Sequence, residues 1–323
     1  MNRNDDPFEQ LRRLAGDPTP TDDEEQRAWA MLQQAIGTER PAGRRARRRR
    51  RLIPVVAAVA VVLVVAGVVL SRPSRVEATL GEIAYAARLA TPQEIPEGSF
   101  LYTRSGQVSL IVTPGDRLGL QGHVAYLLPT TREEWRRGDF VQLVTTAGTP
   151  TFFDPEVEAA YYAYGFDKTD HVGQTLTRQL TGVTNDLAET DWPTDPGRLR
   201  DALEAYASQG AGSLPLDIQV FHLATDLLRE ADPGPSVRAA LIEVFTQLPV
   251  TLVDRGSDGS VTLAVTYNRP PSVRDTITLD PQGHLIAETS TLLEPAPEFG
   301  IPTGTRIWDA TYTIPTVVDT LDT

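Results

Sequence analysis

The sequence predicts an α+β protein: one transmembrane helix, then an extracytoplasmic antiparallel curved sheet with a helical insertion. Three observations predict it. An uncharged apolar run of 19 residues occupies Leu52–Leu70. Beyond it, strand-like runs recur between Pro- and Gly-containing turns. Within that region, residues 195–248 switch to a helical period.

Charge divides the chain in order. Residues 1–43 hold five Arg against nine Asp and Glu, an acidic arm. Residues 44–51 are an Arg-rich stop: Arg44, Arg45, Arg47, Arg48, Arg49, Arg50 and Arg51, with one alanine. Residues 52–71 carry no charge, and residues 72–323 hold 18 basic and 34 acidic residues. The sum over 323 residues is −13, and the chain has no cysteine. The missing cysteines exclude a disulfide scaffold, a thiolate metal site and a thiol nucleophile. The acidic balance argues against nucleic acid as the partner.

At ~1.5 Å per residue the apolar run covers ~28 Å, close to the ~30 Å hydrocarbon thickness. It has no polar face, as a helix surrounded by lipid requires. Pro54 falls in the first turn, where a missing N–H costs little. A cleaved signal peptide is shorter in its apolar part and lies nearer the N-terminus. Eight arginines lie in the 15 residues before the run and two in the 15 after it. That places the N-terminus in the cytoplasm and the large C-terminal part outside the cell membrane. Beside a span, the arginines from Arg44 to Arg51 set the topology and meet anionic lipid headgroups.

The arm carries two helix signatures. Asp6-Pro7-Phe8-Glu9 combines a cap, a proline at the first helical position and a glutamate three residues on. Thr21 and Glu24 form a second capping box. Phe8, Leu11 and Leu14 mark the apolar side of the first helix, and Trp29, Leu32 and Ile36 that of the second. Two such short helices are marginal alone in water. A cytoplasmic protein that takes them into a groove solves the problem; a disordered arm with nascent helices is the alternative.

After the span, Arg75–Ala90 has helical periodicity and ends at Pro92 and Pro96. Strands are expected over 99–113, 118–128 and 140–146, with Pro129 and the polar stretch 132–137 interrupting them. Residues 147–194 read mainly as loops, with a short helix near 156–164 and an irregular piece at 174–180. Three helices follow, at 195–208, 217–231 and 235–247. Five strands close the chain, at 250–254, 261–267, 272–279, 284–292 and 306–314. Short connections make these last five an antiparallel meander. Asp258-Gly259 is a hairpin dipeptide, and Asp280–Gly283 makes the next turn.

Chemical motifs are absent. The four histidines, His123, His171, His222 and His284, show no zinc spacing. Asp170-His171 is the sole carboxylate–histidine neighbour pair, and adjacent loop residues rarely aim at each other. His222 reads as a packed helix-face residue and His284 as exposed. Trp135 and Trp192 sit in loop settings where packing is the better reading. No Walker, dinucleotide or calcium-loop pattern occurs. The expectation is a non-enzyme with no metal and no cofactor.

The stretches DPFEQLRRLAG (6–16), the Arg run before a Val/Ala span, LPLDIQVFHLATDLLREADPGPSVRAALIEVFTQLPV (214–250), RDTITLDPQGHLIAETS (274–290) and VVDTL (317–321) carry a resemblance. The chain resembles an actinobacterial family of single-span envelope proteins of unassigned function. The resemblance implies an anti-sigma-like layout. It also implies an outer domain similar to the curved sheets of lipoprotein carriers (LolA-like) and RseB-type stress sensors. The zinc-binding H-x-x-x-C-x-x-C of many anti-sigma factors is missing. Two functions stay open. One is a regulator whose arm holds a cytoplasmic protein, with a sigma factor as the candidate, and whose outer domain senses the envelope. The other is an envelope module that binds an apolar ligand or a peptide, with no signalling role.

Overall fold

The computed structural model describes residues 75–321, apart from 182–186, 188–189, 210–213, 231–232 and 269–270. The predicted arm, Arg run and span lie outside the described residues. With them lie the proposed partner-binding residues Phe8, Leu11, Leu14, Trp29, Leu32 and Ile36. The topology arginines Arg44, Arg45, Arg47, Arg48, Arg49, Arg50 and Arg51 lie outside as well. Among the described residues no helix is long and apolar enough to cross a membrane.

The described helices are α1 (Arg75–Leu89), α2 (Pro155–Ala163), α3 (Phe166–Thr169), α4 (Pro196–Ala207), α5 (Leu216–Glu230) and α6 (Pro235–Phe245). The strands are β1 (Phe100–Pro114), β2 (His123–Arg137), β3 (Phe140–Ala147), β4 (Thr151–Phe152) and β5 (Thr175–Leu180), then β6 (Thr251–Arg255), β7 (Val261–Tyr267), β8 (Val273–Leu279), β9 (Leu285–Leu292), β10 (Arg306–Tyr312) and β11 (Thr316–Val318). They form one large open antiparallel sheet in the order β5-β3-β2-β1-β10-β9-β8-β7-β6, with β11 beside β1 and β4 beside β2. The fold is therefore α+β, and β6 to β10 are the expected meander.

Helices α1, α4, α5 and α6 pack over the meander. Val261, Leu263 and Val265 alternate along β7, and Ile277 and Leu279 face the same way on β8; all five are buried with the helices in the main core. Apolar residues surround nearly the whole of α6, and Ala239 to Ile242, Val244 and Phe245 are fully buried. A helix apolar on all sides belongs at the centre of its layer, and α6 packs against α1, α4 and α5. The helix next to the predicted span is part of this core: Leu80, Ile83, Ala84 and Ala87 of α1 are buried.

Two sequence expectations about strands are corrected. Pro129 does not interrupt a strand, since β2 runs unbroken through it, pairing Val108 of β1. A proline is tolerated where its missing N–H meets no partner strand. On that side β3 stops at Thr130–Ala147 and β4 starts at Leu127–Thr151, and Gly148 N–H donates to the Pro129 carbonyl instead. Residues 174–180 are not irregular: β5 pairs with β3 along its length and forms an edge of the sheet. Its mostly exposed residues hide the apolar alternation that would have revealed it. The strand β11 carried no signal, being three residues long.

Both hairpin turns form as expected. At the second, Gly283 takes φ 80°, and a Cβ there would meet Ile242 Cδ1; glycine lets the turn lie against α6. Asp280 ties the same turn: Oδ1 accepts from the backbone N–H of Gln282 and His284, both at 2.8 Å, and Oδ2 lies 2.9 Å from His284 Nδ1. His284 is thus half-buried rather than exposed. Burial opposes the charge on Asp280, but these three contacts outweigh it and hold the carboxyl below its usual range. A depressed folded value stabilises above the unfolded carboxyl value of about 3.9, and the gain is lost as pH falls through the depressed value. Asp280→Ala is therefore expected to cost about 1–2 kcal/mol at neutral pH. Melting temperatures measured down to about pH 2 should show the gap to the wild type narrowing; a constant gap contradicts the assignment.

Candidate functional site

Strand register carries one row of residues across seven strands: Leu263, Ile277, Glu288, Ala310, Gln107, Thr130 and Ala147. It starts under the helices, where Leu263 and Ile277 are buried. It turns charged at Glu288 and polar at Gln107 and Thr130. A neighbouring row runs Val265, Asp275, Ser290, Trp308, Ser109 and Leu128. On this face, then, the sheet passes from an apolar, helix-covered half to a half floored by Ser, Thr and Gln. There Leu101, Ile111, Leu128 and Leu143 are only partly buried. The far end of that second half is closed by α2 and α3, where Tyr126, Phe152 and Tyr161 pack ring against ring.

The boundary between the halves is occupied by α5. Its His222, Asp226 and Arg229 fall at i, i+4 and i+7, one side of the helix. His222 Nε2 lies 2.7 Å from Asp275 Oδ2 on β8. Arg229 Nη1 donates to both oxygens of Glu288 on β9, at 3.0 Å each, and Nη2 donates to Asp226 and Glu230. Burial pushes the Glu288 carboxyl above its usual value, against the pull of Arg229. The Asp226 carboxyl is raised for the same reason. Burial also opposes the charge on Arg229, but Glu288 and Asp226 more than offset it and hold the guanidinium protonated. The Tyr312 hydroxyl, on β10, is raised by burial and by Glu288 and stays protonated.

Beside this network, a cleft of about 440 Å³ opens between the end of α4 and α5. Tyr206 and Gln209 line one side and Gln219, His222, Leu223 and Asp226 the other. Among the described residues, Thr130 Oγ1, Gln142 Nε2, Asp275 Oδ1 and Trp308 Nε1 are buried side-chain polar atoms with no hydrogen-bond partner. Register puts three of them on the face that α5 crosses, and Gln142 on the other. Buried polar atoms in native proteins are nearly always satisfied by protein or by ordered water.

The histidines expected to be structural are placed as follows. His222 is a helix-face residue, but it joins a charged pair and lines the cleft instead of packing into the core. Asp170 does not aim at His171; its Oδ2 accepts from Tyr126 and Tyr161, both at 2.7 Å. Burial and Asp170 push both hydroxyls above the usual tyrosine value, so they stay donors and pin α3 to β2. Trp135 and Trp192 are buried, the second donating to the Leu187 carbonyl. Among the described residues no three His, Asp or Glu converge on a metal-sized site.

Sequence reasoning missed Asp226, Arg229, Asp275 and Glu288. One signal was present: Val273, Asp275, Ile277 and Leu279 share one strand face, and Asp275 is the polar intruder among apolar residues. Compared with known proteins, the chain matches no family model, no curated protein and no solved structure.

Proposed function

We propose that the chain is a single-span membrane regulator, with its N-terminus cytoplasmic and residues 72–323 outside, whose folded unit senses the envelope and whose arm holds a cytoplasmic protein. The candidate partner is a sigma factor, as the resemblance implies. The reading involves no catalysis. The observation that supports it best is the position of α1. The apolar run ends at Leu70 and α1 starts at Arg75, so the helix nearest the membrane is itself packed into the core against α6. A change in the helical layer moves the residues adjoining the span, which is what a signal through one helix requires.

A second reading keeps the same anchoring and drops the signalling: an envelope module that binds a lipid or a peptide on an open sheet. The half-covered sheet favours it, since partly exposed leucines on an uncovered face are what a ligand would cover. Affinity capture from the native host separates the readings, using the tagged full-length chain beside the triple variant Trp29→Ala, Leu32→Ala, Ile36→Ala. The regulator reading expects a sigma factor on the wild type and its loss from the variant. No sigma factor on the wild type, or equal retention by both, rejects it and leaves the binding module.

A further inference from the structure

We infer that β5, the free edge of the open half, takes up an extended peptide segment of a partner protein, one that sets an acidic side chain flanked by apolar residues beside Arg178. The inference rests on the reading that the open half is where the folded unit meets its ligand, and it names the ligand and its place.

Four observations carry it. The first is an edge without protection. The sheet ends at β6 on one side and at β5 on the other, and a strand edge offers a row of backbone N–H and C=O groups for pairing. The β6 edge is guarded. A register shift between Leu252 and Asp254 breaks its regular pairing with β7, Asp254 and Arg255 are exposed at its end, and Arg255 Nη2 donates to Glu82 Oε2 of α1 at 2.7 Å. Bulges and charges of this kind deter strand addition. By contrast, β5 pairs with β3 over six consecutive residues without a shift. It has no proline, its single charge is Arg178, and five of its six residues are exposed. Among the described residues no strand pairs with its outer side, so main-chain hydrogen bonds are open to an added strand. The second observation is the side-chain pattern. Leu176, Arg178 and Leu180 share one face, in register with Thr145, Leu143 and Val141 of β3, while Thr175, Thr177 and Gln179 share the other. Directly opposite residues of paired strands meet on one face. The first face therefore calls for an apolar, acidic, apolar alternation. The second calls for hydroxyl or amide side chains, as in the existing pairs Thr146 with Thr175 and Gln142 with Gln179. The third is local charge. On the Arg178 face of β1, β2, β3 and β5 the charged residues are Arg132, Glu134, Arg136 and Arg178. Glu134 is taken by Arg132 and Arg136, at 2.6 Å each, and no carboxylate among the described residues pairs with Arg178. Residues 72–323 hold 34 acidic against 18 basic residues, but a Debye length of ~8 Å in physiological salt screens the distant acids. The fourth is an apolar border: Leu143 and Leu176 are partly buried and Leu180 is 37 % exposed, surface that the apolar residues of an added strand would cover. A second copy of the chain fits less well. Paired antiparallel with itself about Thr177, β5 sets Arg178 against Leu176 and supplies no carboxylate, and two units of this net charge repel.

The test is amide hydrogen exchange of the full-length chain, reconstituted in lipid nanodiscs, with three probes. They are the peptide acetyl-Ser-Leu-Thr-Glu-Thr-Leu-Ser-amide, its counterpart with lysine in place of the glutamate, and the glutamate peptide with its backbone nitrogens methylated. The glutamate peptide is expected to slow exchange over residues 175–180. About five- to tenfold more lysine peptide should be needed for the same protection, the effect of replacing an opposite-charge cross-strand pair by a like-charge one. The methylated peptide cannot donate main-chain hydrogen bonds and should protect nothing. Arg178→Glu, a change at an exposed position, should reverse the preference between the glutamate and lysine peptides. Arg274→Glu, exposed on β8, should leave that preference unchanged. Equal protection by the first two peptides, equal protection by the methylated one, a preference that Arg178→Glu leaves unreversed, or no protection over 175–180 overturns the edge site. In the last case, protection elsewhere on the open half rejects the edge and keeps the binding reading. No protection beside a captured sigma factor removes this site alone, whereas protection of 175–180 beside an empty capture removes the regulator alone.

Discussion

Arg229→Met is expected to destabilise the folded unit by about 3 kcal/mol, near the low end of the cost of stranding a buried charge. The Glu288 side chain is only 10 % exposed and its bidentate partner is Arg229. Without the guanidinium, Glu288 either remains ionised with little compensation or takes up a proton at its own cost. Adding Glu288→Gln should recover most of the loss, so the double-mutant cycle should show a coupling of at least about 1 kcal/mol. The sign with pH is defined. Burial already raises the folded value of Glu288, and loss of Arg229 raises it further. A carboxyl raised in the folded state binds protons more readily there, so the deficit is full above that value and shrinks as pH falls through it. Denaturant unfolding followed by the buried tryptophans, at neutral and mildly acidic pH, checks both. A deficit under about 1 kcal/mol, or one that grows on acidification, shows that the pair is not what holds α5 to β9.

Leu80→Ala is expected to cost about 2–5 kcal/mol, the range for emptying a closely packed aliphatic site. Leu80 is fully buried, on the side of α1 that packs with α6 in the main core. In a unit of this size that corresponds to roughly 4–20 °C in melting temperature. On the same helix Tyr85 and Leu89 are about two-thirds exposed, at 65 % and 66 %, and Tyr85→Ala should stay within about 0.5 kcal/mol. The contrast tests whether α1 is a working part of the core. If Leu80→Ala is as mild as Tyr85→Ala, then α1 is a loosely docked tether, and the proposed route from the helical layer to the membrane fails. Amide exchange localises the effect: the variant should lose protection in α1 and α6 before the β1–β2 strands.

Local patterns were a good guide wherever burial is one-sided. In β7 the alternation of Val261, Leu263, Val265 and Tyr267 with Thr262, Ala264 and Thr266 gave the same limits, 261–267, that the structure has. The helices at 196–207, 216–230 and 235–245 begin and end within two residues of the expected limits. Where a strand is wet on both faces, as β5 is, alternation vanishes and so did the prediction. Pro129 misled for a related reason: a proline forbids a hydrogen bond, and only the neighbouring strands decide whether one is needed there.

The candidate site was almost invisible in the sequence. His222 was singled out, yet its partner Asp275 lies 53 residues away. Arg229 and Glu288 are 59 apart. Each looks like an ordinary solvated charge in its own segment.

The amino-acid sequence by itself determined the partition of the chain into acidic arm, basic stop, apolar run and acidic remainder, together with the helices and the meander. Those features follow from composition, period and capping, which act over at most a few turns of chain. Only the tertiary structure decided that the eleven described strands join in one sheet, that α1, α4, α5 and α6 cover the meander half while α2 and α3 close the far end of the other, and that His222 meets Asp275 and Arg229 meets Glu288 along the border. Register and long-range pairing are set by which buried surfaces fit one another, and that fit exists only once the distant segments are packed together.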